Sequence, residues 1–395
     1  MKTVEELFPR ALEFAQRLVR IPSMPGSEEA VAREVMREMT ELGYDSVEQD
    51  GAGNVIGTIK GGAGPVLMLN GHMDHVSPGD GKAWSRGGPF GGAIEGGRLY
   101  GRGAADMKAA LALMVAAGGA LGVEPPGDVL VAAVVQEEVG GVGMRYLLKH
   151  GRRPDLCVIG EPTGGGIRIG HRGRLAVWVA FQGRAGHASM PHLAKNPNYA
   201  AAAFLSKLEK SLGRLPSHPV LGRSSIAPTL LQVDASSSNV IPGETRVFLD
   251  WRSTVEKPSD AAAWLKKHVG GRFRVEMPVK DYRTYTGWEE KGVSTTQLGF
   301  VLDRGHEFVK RVVAAAKAAT GRAPRVGVWR FATDGRLTAA EGIPTLGYSP
   351  AEETQCHVTD ESIAIDAMKA GLEVYTAIAR SGGASVSALS ARPRR

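Results

Sequence analysis

The chain has 395 residues, 43% of them hydrophobic and 23% charged, which suits a globular protein of two domains better than one with a single core. Its net charge of +7 does not make a nucleic-acid-binding surface: the tail Arg392-Pro393-Arg394-Arg395 supplies three of the positive charges, the other basic residues are interleaved with acids, and no aromatic-basic stripe or zinc-finger spacing occurs. The longest apolar run, 109–121, is too short to span a bilayer, so neither a nucleic acid nor a membrane is expected as a partner, and the basic balance better serves small anionic substrates.

The opening residues 1–6 lack the apolar stretch of a signal peptide. Cys157 and Cys356 form no CxxC and read as small hydrophobes, which fits a reducing cytoplasm. Apolar residues at Val4, Leu7, Phe8, Leu12, Ala15, Leu18 and Val19 predict a helix over 3–20, ended by Pro22 and Pro25. A second helix is expected over 28–42, closed by Gly43. Strands follow at 54–60 and 66–70, a helix at 106–121, and strands at 129–136 and 156–159. The run 129–136 is continuously apolar and β-branched, as in a strand buried on both faces. This alternation argues for an α/β layer, a largely parallel sheet flanked by helices.

The pattern then changes. A strand at 175–181, a helix at 198–212, strands at 230–234 and 245–252, a helix at 261–269 and a strand at 272–277 form a β-α-β-β-α-β unit, a ferredoxin-like insert. After Gly287 the first style returns: a helix at 306–320, strands near 326–330 and 345–348, and a helix at 364–380. The chain reads as a catalytic domain over 1–172 and 288–380, an inserted α+β lid over 173–287, and a disordered tail over 381–395. Clefts between such domains are common substrate sites.

Five segments carry candidate chemistry. Leu69-Asn70-Gly71-His72-Met73-Asp74 ends a strand with His72 and Asp74 two apart, pointing the same way in extended backbone. Asp74 could hold the second nitrogen of His72 or orient a catalytic base. In Gly101-Arg102-Gly103-Ala104-Ala105-Asp106-Met107-Lys108, glycines clear space before an Asp that is either a helix N-cap or a carboxylate bridging two metals. Val134-Val135-Gln136-Glu137-Glu138 places two adjacent carboxylates at the end of a buried strand, costly unless paired or metal-bound. One can bind a metal while the other addresses a metal-bound water. Ile159-Gly160-Glu161-Pro162-Thr163 again ends a strand on a carboxylate, and the late polar loop 353–361 contributes His357.

Taken together, the first four segments put His or carboxylate groups at the carboxyl ends of strands in one sheet, where ligands bind in open α/β folds. Two divalent cations bring four positive charges. Asp106, Glu138 and Glu161 return three and a hydroxide the fourth, so the set is nearly neutral. A core of this size needs no metal to fold, so the ligands would serve chemistry, and their type suits zinc, with cobalt or manganese as alternatives.

These five motifs jointly resemble the zinc-dependent aminoacylase, acetylornithine deacetylase and succinyl-diaminopimelate desuccinylase family, which includes glutamate-type carboxypeptidases. The resemblance runs from about residue 10 to residue 380. It implies two metals per subunit, bridged by Asp106, one held also by His72 and Glu161, the other by Glu138 and His357. It further implies Glu137 as general base, Asp74 as the partner of His72, and a cis Asp106–Met107 bond. In the insert, Ala185-Gly186-His187-Ala188-Ser189-Met190-Pro191-His192 looks like a lid segment whose first His reaches the partner subunit's site to stabilise an oxyanion, which implies a homodimer. Asn239, Arg252, Arg172 and Thr333 match substrate-contacting positions, whereas Met190 and Ala332 stand where desuccinylase-like members often carry Tyr and Gly.

The implied reaction is metal-assisted hydrolysis of the amide of an N-acyl amino acid. Glu137 takes a proton from the attacking water and passes it to the leaving amine, and Arg252 grips a substrate carboxylate. A metal-dependent aminopeptidase or dipeptidase would use the same centre. A catalytically inactive binding protein is the reading from another class, and the presence of every ligand and the base weighs against it.

Overall fold

The computed structural model describes residues 3–122 and 124–381. A mixed nine-stranded sheet runs through the larger part of the chain, in the order Ser46–Gln49, Val55–Ile59, Val129–Val134, Leu67–His72, Leu156–Ile159, Thr345–Tyr348, Ile167–His171, Phe300–Val301, with Val326–Trp329 also paired to Ile167–His171. The four central strands, Val129–Val134 to Thr345–Tyr348, are parallel to one another and the outer pairs are mostly antiparallel.

Alternate residues of the central strands feed two cores. Leu67, Leu69, Val129, Val131, Leu156 and Val158 face one side, packed under helices Val4–Arg20, Glu29–Glu41, Ala109–Gly119, Glu307–Thr320 and Ile365–Ser381. Met68, Leu130, Ala132, Val134, Cys157 and Ile159 face the other, against Met144 and Leu147 of helix Val142–His150 and Trp329. Burial on both faces explains why these strands read as unbroken apolar runs.

The second unit is a four-stranded antiparallel sheet in the order Ser225–Val233, Glu244–Arg252, Leu175–Gln182, Arg274–Glu276. Helices Pro197–Ser211 and Pro258–His268 pack on it around Phe204, Trp251, Trp264 and Leu265, a core separate from the first two. With the central sheet and its helices, this gives the expected fold class, a mixed α/β layer carrying a ferredoxin-like insert. The edge strand Ser225–Val233 leaves Leu230, Leu231 and Val233 exposed, and Tyr199 on the neighbouring helix is 78% exposed.

The strand Ile167–His171 was not predicted: its alternation is confined to Ile167-Arg168-Ile169, enclosed by Gly164-Gly165-Gly166 and Gly170. The hairpin of Val279–Arg283 with Glu289–Ser294 was also missed; it spans residue 287, and Tyr282 and Tyr285 bond the carbonyls of Val139 and Gly53. The expected tail lies outside the described residues from 382 on, and Ser381 still belongs to the last helix. Among the described residues no helix is long and apolar enough to cross a membrane.

Candidate metal centre

Sheet register builds the site. His72 pairs with Val134, and Ile159 pairs with Asn70, so Glu161 comes level with His72 while Glu137 and Glu138 lie just past Val134. Three adjacent parallel strands thus deliver His72, Glu137, Glu138 and Glu161 to one edge. Gln136, at φ 54°, turns the chain there.

Asp106 arrives from the other side. The structure rules out the helix N-cap alternative: the helix begins at Ala109 with Lys108 in the cap position, two residues beyond Asp106. Glycines clear the approach, for a Cβ on Gly101 would lie 2.4 Å from Val19 Cγ1, and Gly103 sits at φ 86°. The Asp106–Met107 bond is cis. Glu361 holds this segment: its Oε1 accepts the N–H groups of Ala105 (2.8 Å) and Asp106 (2.9 Å), and its Oε2 accepts from Arg102 Nη1 at 2.6 Å. Glu361 stood in the late loop without an assigned role. Its position depends on the pairing of Ser362 with Tyr100, which sets Glu361 opposite Gly101. Nothing local announces that pairing.

Asp106 faces two imidazoles with its two oxygens. Oδ1 lies 3.1 Å from His72 Nε2, and Oδ2 lies 3.2 Å from His357 Nε2. Each imidazole has a further carboxylate: Glu161 Oε1 is 3.7 Å from His72 Nε2, and Glu138 Oε1 is 3.2 Å from His357 Nε2. Glu137 is grouped within 4.8 Å of His72 and Glu161 ligand atoms, and Arg336 Nη1 stands 3.9 Å from its Oε1. Asp106, Glu137, Glu138, Glu161 and His357 line a cavity of about 160 Å³ with Phe331, Ala332 and Cys356. Cys356 is therefore not the buried hydrophobe expected; it is half-buried on the cavity wall, while Cys157 is fully buried in the core.

Asp74 contacts both His72 and the backbone of Glu137 and Glu138. Its carbonyl lies 3.0 Å from His72 Nδ1, closer than its carboxylate at 3.5 Å. Its two carboxylate oxygens accept the N–H groups of Glu137 and Glu138, each at 3.1 Å.

The electrostatics call for cations. A carbonyl can only accept, so Nδ1 of His72 carries the hydrogen and its Nε2 lone pair faces the Asp106 and Glu161 oxygens. That arrangement repels unless a proton or a metal lies between. Burial lowers the His72 pKa, but Asp106, Glu161 and Asp74 outweigh it and hold it well above the ordinary value. His357 is pushed up to about 10 by Asp106 and Glu138. Burial, then Asp106 and Glu137, raise Glu161, and burial with Asp334 raises Glu137. Two imidazoles and four carboxylates clustered about Asp106 fit a pair of divalent cations.

None of the candidate substrate-contacting residues lines this cavity. His187 is exposed on the short strand Gly186–His187, paired to Val240–Ile241, with its Nδ1 2.6 Å from Ser189 Oγ. Asn239 is its neighbour across the ribbon, its carbonyl accepting from Ala188 N at 2.9 Å. Arg172 Nη2 donates to the Arg252 carbonyl at 2.7 Å, and Arg252, exposed, pairs with Asp250. Thr333 is fully buried; its N–H bonds His171 Nε2 and its Oγ1 accepts from Gly335 N.

A family model described as peptidase family M20/M25/M40 matches residues 68–381. The chain belongs to that family. It is a metal-dependent hydrolase of amide bonds. It is 31% identical over 362 residues to the uncharacterized protein YgeY of Escherichia coli strain K12, covering 88% of each chain. It is 29% identical over 383 residues to a succinyl-diaminopimelate desuccinylase of Caulobacter vibrioides, covering 93% of this chain and 95% of that one. Among solved structures, the aminopeptidase PepT of Bacillus cereus superposes with a TM-score of 0.73 at 22% identity, over 94% of this chain and 98% of that one. Such a likeness speaks for the fold alone.

Proposed function

We propose that this hydrolase holds two divalent cations, most suitably zinc, with cobalt or manganese as alternatives, and cleaves the amide of an N-acyl amino acid or short peptide. The observation that carries this is Asp106, whose two oxygens face two imidazoles that each have a carboxylate of their own. His72 and Glu161 would hold one ion, Glu138 and His357 the other, and Asp106 both. Bound ions acidify a water and polarise the scissile carbonyl. Glu137, on the cavity wall with Arg336 Nη1 3.9 Å from its Oε1, takes the water's proton and returns it to the leaving nitrogen. Asp74 fixes the His72 ring and the Glu137–Glu138 backbone at once.

The division into a catalytic unit (1–172 and 288–380) and a lid (173–287) is supported by their separate cores. The exposed edge strand with Leu230, Leu231 and Val233 supports a homodimer formed through the lid, because an unpaired apolar strand edge invites a second chain. In that dimer His187 stabilises the oxyanion in the partner's site. Arg252 grips a substrate carboxylate with Arg172 beside it, Asn239 contacts substrate from the end of the lid that carries His187, and the Thr333 hydroxyl retains its proton to donate. Two unpaired cysteines support a reducing, cytoplasmic setting.

An aminopeptidase or dipeptidase reaction uses the same centre. Metal analysis of the purified protein, coupled to a panel of N-acetyl, N-succinyl and N-formyl amino acids and free dipeptides, tests the reading. Two metal equivalents with turnover of blocked amino acids are expected. Turnover of free dipeptides alone moves the assignment to a peptidase, and a zinc-loaded protein inactive on all of them rejects the hydrolase reading.

A further inference from the structure

The strand Val129–Val134 ends its pairing opposite His72, and both acidic residues of the centre come after that point. The next four backbone N–H groups are taken by side chains and not by a neighbouring strand. Val135 N donates to Asn54 Oδ1 at 3.0 Å and Gln136 N to Glu28 Oε1 at 3.2 Å. Glu137 N and Glu138 N donate to the two Asp74 carboxylate oxygens, each at 3.1 Å. Three side chains from three separate segments thus set the path of residues 135–138.

Gln136 is the bend in that path. At φ 54° it holds a left-handed conformation that a non-glycine residue keeps only where its surroundings impose it. Its side-chain amide is committed too, donating to the Arg283 carbonyl at 2.7 Å. One residue on, the Glu137 carboxylate faces Arg336 Nη1 at 3.9 Å, beyond hydrogen-bond length. Its reach toward a water therefore depends on its backbone. Glu138 differs, because an ion shared with Asp106 and His357 would hold it as well.

Two of the three acceptors have a second duty. Asp74 also holds the His72 ring. Asn54 also closes its own turn, its amide donating to Asp50 Oδ2 at 2.6 Å and to the Gly143 carbonyl at 2.9 Å. Glu28 has no comparable duty. It stands at the N-cap of helix Glu29–Glu41, yet its side chain caps none of that helix's N–H groups. It is fully buried, its Oε1 accepts from Gly26 N at 3.0 Å besides Gln136 N, and its Oε2 has no hydrogen-bond partner among the described residues. A buried carboxylate with one unpartnered oxygen costs stability, so helix capping or packing does not account for it.

We infer that Glu28 is a positioning residue for the general base: it fixes the bend at Gln136 and so aims Glu137 at the attacking water. This rests on the reading of Glu137 as the base. The role needs an oxygen at the reach of a glutamate and does not need a charge.

Two conservative variants separate reach from charge. Glu28→Gln keeps the reach and loses the charge, and Glu28→Asp keeps the charge and draws the oxygen back by one methylene. On the substrate found in the hydrolysis panel, Glu28→Gln should stay within ~3-fold of the wild-type kcat, and Glu28→Asp should lose about 10–100-fold, the scale of a small misplacement, with KM and zinc content unchanged. Added to Glu137→Gln, Glu28→Asp should cost less than ~2-fold more, since no proton carrier is left to misplace. The reverse order, an equal loss in both variants, or normal kcat in both overturns the proposal. So does an undiminished loss from Glu28→Asp in the Glu137→Gln background, or zinc loss in Glu28→Asp, since the segment would then serve the fold or Glu138. Near-normal kcat in Glu137→Gln rejects the base reading and the proposal with it, whereas an inactive Glu137→Gln beside a fully active Glu28→Asp rejects the proposal alone.

Discussion

The metal cluster and the lid residues are held in opposite ways. His72, Asp106 and Glu161 are buried, sit at the ends of paired strands or under Glu361, and each approaches more than one other polar group, with His357 the exposed member of the cluster. His187, Asn239 and Arg252 are exposed on a two-residue ribbon and a strand end, bonded mainly to residues a few positions away. A site whose geometry is over-determined within one chain is complete there. One whose residues stand in solvent needs something else, a substrate or a second chain, to complete it.

Substitutions can break that comparison. The largest effect is expected at Glu137. Glu137→Gln keeps shape and backbone but removes the proton carrier, so kcat should fall by roughly 10²–10⁴-fold with metal content unchanged. A near-normal kcat would remove Glu137 from the mechanism. His187→Ala should lower kcat by about 10²–10³-fold, as loss of an oxyanion donor does, and leave melting temperature and metal content alone because the side chain is exposed. Mixing the two inactive dimers then sharpens the comparison. If His187 serves its partner, exchanged dimers contain a site with both Glu137 and His187 intact and recover activity. If each chain serves itself, no mixture recovers any.

How much of this was legible follows the same divide. His72, Glu137, Glu138 and Glu161 were legible only as a set: each alone has an ordinary structural explanation, but together they put four such groups at the carboxyl ends of strands in one sheet. The two cores of the central strands could be read from the same runs. Glu361 could not, since its role depends on a strand pairing with residues some 260 positions earlier, set by tertiary contact alone. Asp106 stayed open between a helix cap and a metal ligand until the family resemblance was added, because the sequence shows the helix that follows and not the Glu361 carboxylate that accepts the N–H groups of Ala105 and Asp106. Cys356 and Phe331 carry no pattern at all; only the fold makes them cavity walls.

Glu361 therefore tests whether the buried region depends on support from outside the ligand set. Glu361→Gln retains an acceptor for the Ala105 and Asp106 N–H groups but turns an amide toward Arg102, and Glu361→Ala removes both. Zinc affinity, read by chelator competition, should weaken about 10–100-fold in the alanine variant, the usual scale for groups that orient metal ligands, with glutamine between it and the wild type. Unchanged affinity in both would mean that Asp106 is held by its own chain.

The smallest effect is expected at His171, where the two regions meet. Its Nε2 accepts from Thr333 N at 3.1 Å, its Nδ1 lies 2.9 Å from the Arg172 carbonyl, and its ring packs edge-on against Phe300. Burial keeps this ring neutral, with its pKa lowered from 6.5 to about 4. Between those values the unfolded chain binds the proton and the folded chain does not, so stability falls as pH falls through the window. Buried carboxylates titrate in the same range with the opposite sign, Glu361 being pushed up to about 7 by burial, so the wild type alone would not isolate the effect. His171→Gln has no such proton and can still accept from Thr333. In urea unfolding between pH 6.5 and 4.5, the wild type should lose stability relative to this variant by up to about 1.4 kcal/mol per pH unit. A gap that does not change with pH would mean that water reaches the ring and that its packing against Phe300 and Trp329 does not hold it neutral.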